Sequence, residues 1–220
     1  MRSKRRIAGI QAPQLPASGL SEISVDEPLQ DQRSFSQCLL ASSDFSEQEA
    51  DDVLFEQAHL KRVSLARTHL TSSQMLDTRC DTCDFAGAEW EKAHLSRIEW
   101  TGCRLVGLKL MESEVADALI KDCNAEFALF WSSSFKAARF ERCNLSGASF
   151  QDANLAGVVF KDCDLSQADL RGSKLAGADL RGSKLEGLKV GIKELEGAII
   201  EPGQAVHIVG LLGIQVKWEE

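Results

Sequence analysis

From Phe35 to Ile200 every fifth residue is apolar, thirty-four positions that run from Phe35, Leu40, Phe45 and Ala50 to Val190, Leu195 and Ile200 without a polar exception. A chain that is 44% hydrophobic would place about fifteen apolar residues there by chance. Nine of the ten Phe residues fall on this register, and only Phe127 lies off it. Two places before each centre, from Cys38 to Ala198, 25 of 33 residues are Ala, Ser, Thr or Cys. Large and small inward positions therefore alternate, and the three remaining positions of each block are mostly polar, charged or Gly. A period of five is neither the helix period of about 3.6 nor the strand period of 2. Self-similarity at a fixed step marks a stacked repeat architecture, in which each unit buries its apolar face against the next.

The repeat is cleanest between Glu141 and Leu185, nine blocks each ending in Leu or Phe. Its best blocks are Ala153-Asn154-Leu155-Ala156-Gly157, Ala168-Asp169-Leu170-Arg171-Gly172 and Ala178-Asp179-Leu180-Arg181-Gly182. This pattern resembles the pentapeptide-repeat family, whose blocks approximate Ala-(Asp or Asn)-Leu-x-x. The resemblance covers about three quarters of the chain and implies an all-β fold, a right-handed quadrilateral β-helix with four blocks per square coil. At that rate the chain makes about 8 coils, a rod roughly 40 Å long at the usual strand spacing. The cysteines support the four-block coil independently. Cys83, Cys103, Cys123, Cys143 and Cys163 step by twenty, all at the small inward position, and would stack as a ladder on one face.

Before the repeat, residues 1–32 carry Pro13, Pro16, Pro28 and Gly19 with no apolar periodicity, which predicts a disordered tail with a basic tip, Arg2, Lys4, Arg5 and Arg6. That tip reads either as a tether to nucleic acid or membrane or as a solvated terminus. The apolar stretch after it is too short for a secretory signal, Glu22, Asp26 and Glu27 argue against a transit peptide, and there is no apolar run of membrane-spanning length. A cytoplasmic location is expected. Residues 33–200 form the repeat domain, with loose or bulging first coils expected at Glu47–Asp52 and Gln74–Cys80, and local swelling at Trp90 and Trp100. Residues 201–220 are expected to cap the C-terminal end. Pro202 opens a helix whose apolar face carries Ala205, Ile208, Val209 and Leu212, Gly213 ends it, and Ile214–Trp218 reads as a short strand. The ending resembles that of family members in which a terminal region supports dimers, so Ile208, Val209, Leu211 and Leu212 are candidate capping or homodimer residues.

Charge and candidate chemistry narrow the function. The net charge is −8, so direct nucleic-acid binding and an acidic partner are disfavoured. Residues 31–130 carry 18 acidic and 10 basic side chains, whereas 131–190 carry 7 and 9. No phosphate loop, nucleophile elbow or zinc-protease motif is present. His59, His69 and His94 fall on three different faces, and Cys80 with Cys83 is the one CxxC pair, so the cysteines read as buried inert thiols rather than as a metal or redox site. No catalytic residue, metal or cofactor is expected. Two surface features remain. The first is the acid of the N-terminal half, Asp44, Glu47, Glu49, Asp51 and Asp52. The second is Phe127, Leu129 and Trp131, at outward positions where the pattern calls for polar residues; they read either as a partner contact or as a local irregularity turned into the core. The resemblance extends to the branch of the family that protects DNA gyrase from quinolones by mimicking duplex DNA, which implies a type II topoisomerase as the partner. The competing reading is an interaction scaffold for an unrelated target.

Overall fold

A computed structural model describes residues 9–25, 27–211 and 214–217. The chain winds as a parallel β-solenoid of about seven turns. Each turn advances the chain by twenty residues: Gln74–Asp81, His94–Thr101, Glu114–Lys121 and Ser134–Glu141 stack in parallel, with Leu95 beside Met75, Val115 beside Leu95 and Phe135 beside Val115. Those strands cover two consecutive faces. The third face runs as the bridges Asp44, Ser64, Asp84, Arg104, Asn124, Asn144, Asp164 and Lys184. The fourth starts at Glu49–Asp51 paired with His69–Thr71 and continues through Glu89, Lys109, Leu129, Ser149, Asp169 and Lys189.

The sequence pattern explains this geometry block by block. The large centres from Phe35 to Leu185 are all buried in one continuous cluster. Where one coil holds Phe130, Phe135 and Phe140, its fourth centre is Ala125, so the interior volume stays nearly constant. The small inward position is polar often because it finishes the backbone hydrogen bonding at the corners. Ser113 Oγ accepts the Ala93 N–H at 3.0 Å and Ser133 Oγ accepts the Ser113 N–H at 3.1 Å. Outside the core, Asp or Asn one place before a centre accepts the N–H two residues on, at Asp44, Asp84, Asn144, Asp164, Asp169 and Asp179 among others, which sets the turn. Two places past each centre from Phe35 to Leu185 the backbone swings to positive φ. Early coils force residues such as Arg67, Asp77 and Ala137 into it, and late coils use Gly172, Gly177 and Gly182.

Several expectations are corrected. The first coils are not loose: Leu54–Glu56, Gln74–Leu76 and Asp77 keep the twenty-residue step with no bulge, because the corner at Asp77 takes the positive φ itself. Trp90 and Trp100 are enclosed without a change of register; the Trp90 Nε1–H donates to Thr68 Oγ1 at 3.0 Å. The loosening lies instead at the last coil, where Val190, Leu195 and Ile200 are half-buried and residues 192–197 form turns, so about seven complete turns stand rather than about eight. The tail expected to be disordered contributes a strand: Ser21–Ile23 pairs in parallel with Cys38–Leu40, and Leu29 is buried behind it. The basic tip, residues 1–8, lies outside the described residues.

At the other end Pro202–Gly210 is a helix, with Glu201 and Gln204 forming a reciprocal capping box. It ends at Gly210, three residues before the expected Gly213, and Ile214–Lys217 is not a strand. Gln204 is the plug: its Nε2 donates to the Leu180 and Ser183 carbonyls at 2.7 and 2.6 Å and ties the helix to the corner that follows Leu180. Ile208 packs against the core beside it.

Candidate interaction surface

The fourth face gathers most of the residues singled out from the sequence. Glu49, Asp51 and Asp52 lie at its N-terminal end, exposed, and Leu129 and Trp131 lie four coils along, about 19 Å away at the usual strand spacing. Phe127 stands at the corner where the third face turns into the fourth. The outward triplet does not fold into the core. Phe127 is 59% and Trp131 42% exposed, and Leu129 is half-buried between Lys109 and Ser149 on the ladder. Local chemistry holds both rings against the surface. The Trp131 Nε1–H donates to Ser149 Oγ at 2.6 Å, and the Phe127 ring lies over Gly147, where a Cβ would come within 2.6 Å of it. Gly147 is therefore part of the surface, a residue the sequence marks only as a corner glycine.

Asp44 lies on the third face and Glu47 on the corner column that also carries Phe127, and both are engaged. Hydrogen bonds from Ser46 hold the Asp44 carboxyl below its ordinary value, and Glu47 pairs with Arg67 one coil on. That pairing is general. Asp77 takes Arg97 in a fork at 2.6 and 2.8 Å, Asp84 takes Arg104 at 3.0 Å, Asp122 takes Arg142 at 2.7 and 2.9 Å, and Asp164 takes Lys184 at 3.0 Å. Each partner lies twenty residues away, one coil up. The sequence contains this signal as opposite charges at a spacing of twenty, and reading it would have shown that much of the N-terminal acid is neutralised. Glu49, Asp51 and Asp52 have no ion-pair partner among the described residues.

The histidines separate as expected, each against a carboxylate of its own: His59 with Asp81 at 2.7 Å, His69 with Glu89 at 3.5 Å, His94 with Glu114 at 3.5 Å and His207 with Glu186 at 3.8 Å. All seven cysteines are buried and unpaired. In the ladder, hydrogen bonding of the Cys123 S–H to the Cys103 and Cys143 sulfurs, with burial, holds that thiol well above its ordinary value, so it stays a thiol. Among the described residues no group of three or more His, Cys, Asp or Glu is placed to hold a metal ion. At the C-terminal end, Ile208 and Val209 are half-buried, Leu211 is exposed and Leu212 lies outside the described residues. A cleft of about 470 Å³ opens there, lined by Ile192, Lys193, Leu195, Glu196 and Ile208.

The twenty-residue coil and its inward and outward columns accord with two family profiles. Pentapeptide repeat region matches residues 74–150, and pentapeptide repeats, in eight copies, matches residues 148–187, together more than half of the 220 residues. The chain belongs to the pentapeptide-repeat family. Among solved structures this pentapeptide-repeat protein is similar to a trypsin-treated variant of QnrB1, described as a plasmid-mediated fluoroquinolone resistance protein, at 15% identity over 90% of this chain and 100% of that one, with a TM-score of 0.49. It is similar also to HetL of the cyanobacterium Nostoc sp. strain PCC 7120, a pentapeptide-repeat protein involved in heterocyst differentiation regulation, at 18% identity over 79% of this chain and 91% of that one, with a TM-score of 0.39. No curated protein matches the chain.

Proposed function

We propose that this pentapeptide-repeat protein acts by binding a protein partner through its fourth face, without chemistry of its own. The observation that carries this reading is the coil at Phe127, Leu129 and Trp131. Along the rod as far as Leu188, Phe127 and Trp131 are the exposed large apolar side chains among the described residues, and both belong to one coil, Phe127 at the corner that opens the fourth face and Trp131 on that face. Aromatic residues exposed together on an otherwise polar surface mark contact sites, because their burial in a complex removes much apolar area from water at little entropic cost. A cytoplasmic location is part of the same proposal, supported by the unpaired thiols, which suit a reducing compartment.

A finer reading, a duplex mimic that binds a type II topoisomerase and protects it from a poison, is supported by Glu49, Asp51 and Asp52 on the same face. Charge density weighs against it. Residues 31–130 fill five coils, about 24 Å of rod, over which duplex DNA carries about 14 phosphate charges. The net −8 of those residues is spread around four faces, and much of the acid is paired coil to coil. The interaction-scaffold reading therefore stands first. Supercoiling and drug-stabilised cleavage by bacterial DNA gyrase, titrated with the wild-type protein and with a Phe127→Ser, Trp131→Ser variant, separate the two. Inhibition or protection at micromolar protein establishes the topoisomerase as partner. No effect leaves the scaffold, and a wild-type bait that captures nothing the double variant fails to capture removes the fourth face.

A further inference from the structure

The first part of the N-terminal segment, around Gln11 and Gln14, is laid along the rod through its backbone. Asp77 and Asp117 occupy one corner column, between the first and second faces, two coils apart. The Gln14 N–H donates to Asp77 Oδ1 and the Gln11 N–H to Asp117 Oδ1, both at 2.9 Å. Two coils rise about 9.6 Å, and three residues of extended chain reach about 10 Å. The corner column is thus in step with an extended peptide that offers an N–H at every third residue. Gln57 Nε2 donates to the Gln14 carbonyl at 3.3 Å, so both main-chain polar groups of that residue are held by the corner column. Pro13 and Pro16 hold the segment extended, the chain turns at Pro16–Gly19, and Ser21–Ile23 then adds a parallel strand to the open edge at Cys38–Leu40. Among the described residues no side chain of Gly9–Val25 hydrogen-bonds to the rod. Ile10 and Leu15 are only half-buried, and Ile23 and Val25, at the strand, pack against the core.

We propose that this corner and the adjoining sheet edge form a peptide-binding surface, filled in cis by Gly9–Val25 and open in trans to the same segment of a second copy of this chain. Strand addition at a free edge draws its affinity from main-chain hydrogen bonds, and the Asp77 and Asp117 carboxylates extend that recognition along the rod with charge-assisted bonds to main-chain N–H groups. The occupant is identified by what already sits there, a proline-spaced extended segment with free N–H groups at positions i and i+3. Exchange between two copies pivots just ahead of Leu29, which stays buried in its own rod with its N–H on Gln48.

The test uses the full chain with a protease site inserted after Val25, cut after folding, and a labelled synthetic peptide of residues 9–25. The nicked protein, still folded by circular dichroism, should exchange its own segment for the peptide at one per rod. The uncut protein should bind it at least about 100-fold more weakly, since the tethered segment competes at an effective concentration of about millimolar. N-methylation of the peptide at Gln11 and Gln14 should weaken binding about tenfold or more, and so should Asp117→Ala in the rod, whereas Gln11→Ala with Gln14→Ala in the peptide should leave it within about twofold. Equal binding of the N-methylated peptide, or no exchange on the nicked protein, overturns the proposal. If the nicked protein does not stay folded, hydrogen exchange on the uncut chain decides: the Gln11 and Gln14 amides should be protected relative to Ala12, with Gln11 losing protection in Asp117→Ala. Unprotected amides in the wild type overturn it as well.

Discussion

Phe130 and Trp131 are neighbours in sequence and opposites in the rod, and truncating each in turn tests the register at a single step. Phe130 is 3% exposed; its ring stacks on Phe150 at 4.7 Å and meets Phe135 edge-on at 5.7 Å. Phe130→Ala removes a buried ring from a column that has rigid coils above and below, so the cavity cannot collapse, and the cost is about 3–5 kcal/mol. Trp131 is 42% exposed and makes one hydrogen bond, to Ser149. Trp131→Ala should cost about 1 kcal/mol or less, the net value of a single hydrogen bond. For a chain of this size each kcal/mol shifts the midpoint by about 2–4 °C, which predicts a fall of about 6–20 °C for Phe130→Ala and at most about 4 °C for Trp131→Ala. Thermal and urea unfolding followed by far-ultraviolet circular dichroism measure both. Stacked repeats can open locally, so amide exchange at Leu110 and Phe150, on the flanking coils, should report the Phe130 loss before global unfolding. Equal losses, or a larger one for Trp131, would refute the assignment of Phe130 inward and Trp131 outward, and with it the contact surface.

Other perturbations follow the same logic. Leu155→Asp places a carboxylate at a fully buried centre with no partner and should unfold the rod; a soluble variant with native circular dichroism would contradict the register. Ala137 sits at φ 51, a conformation that favours Gly, so Ala137→Gly should raise the unfolding free energy by about 0.5–1 kcal/mol, read from the urea midpoint, and a loss would mean that its methyl group packs. Burial alone would raise the Asp77 carboxyl, but the Arg97 fork and the Gln14 N–H outweigh it and hold it below its ordinary value. Its folded pKa thus lies below the unfolded value of about 3.9, so its contribution is present above that value and lost as pH falls through the folded pKa. Urea midpoints from pH 7 to 3 should fall below about pH 4, and less steeply for Asp77→Asn; an unchanged slope would show that the pair does not couple to folding. At the C-terminal end, exposed Ile192, Ile199 and Val206 predict a dimer that light scattering detects and Val206→Glu abolishes, and a monomer at all concentrations would remove that interface.

The rod itself was legible because its determinant is local and repeated. An apolar residue at every fifth place is satisfied by one geometry only, and the cysteine step of twenty reports four blocks per coil without any tertiary information. The helix start at Pro202 was equally local. The charge ladder lay in the sequence too, since a partner twenty residues away is a neighbour once the coil is known; the step used for the cysteines, applied to Asp77 with Arg97 or Asp122 with Arg142, would have exposed it. What only the tertiary structure decided are the contacts between the regular rod and its irregular ends. Nothing periodic in residues 9–25 announces that Gln11 and Gln14 will lie on Asp117 and Asp77, because those bonds belong to the backbone and any extended segment could make them. The same holds for Gln204, a polar residue on an apolar helix, whose burial makes sense only against the carbonyls of Leu180 and Ser183. Periodicity specifies how a repeat meets its next copy; where the copies run out, the unsatisfied edge determines what the remaining chain does.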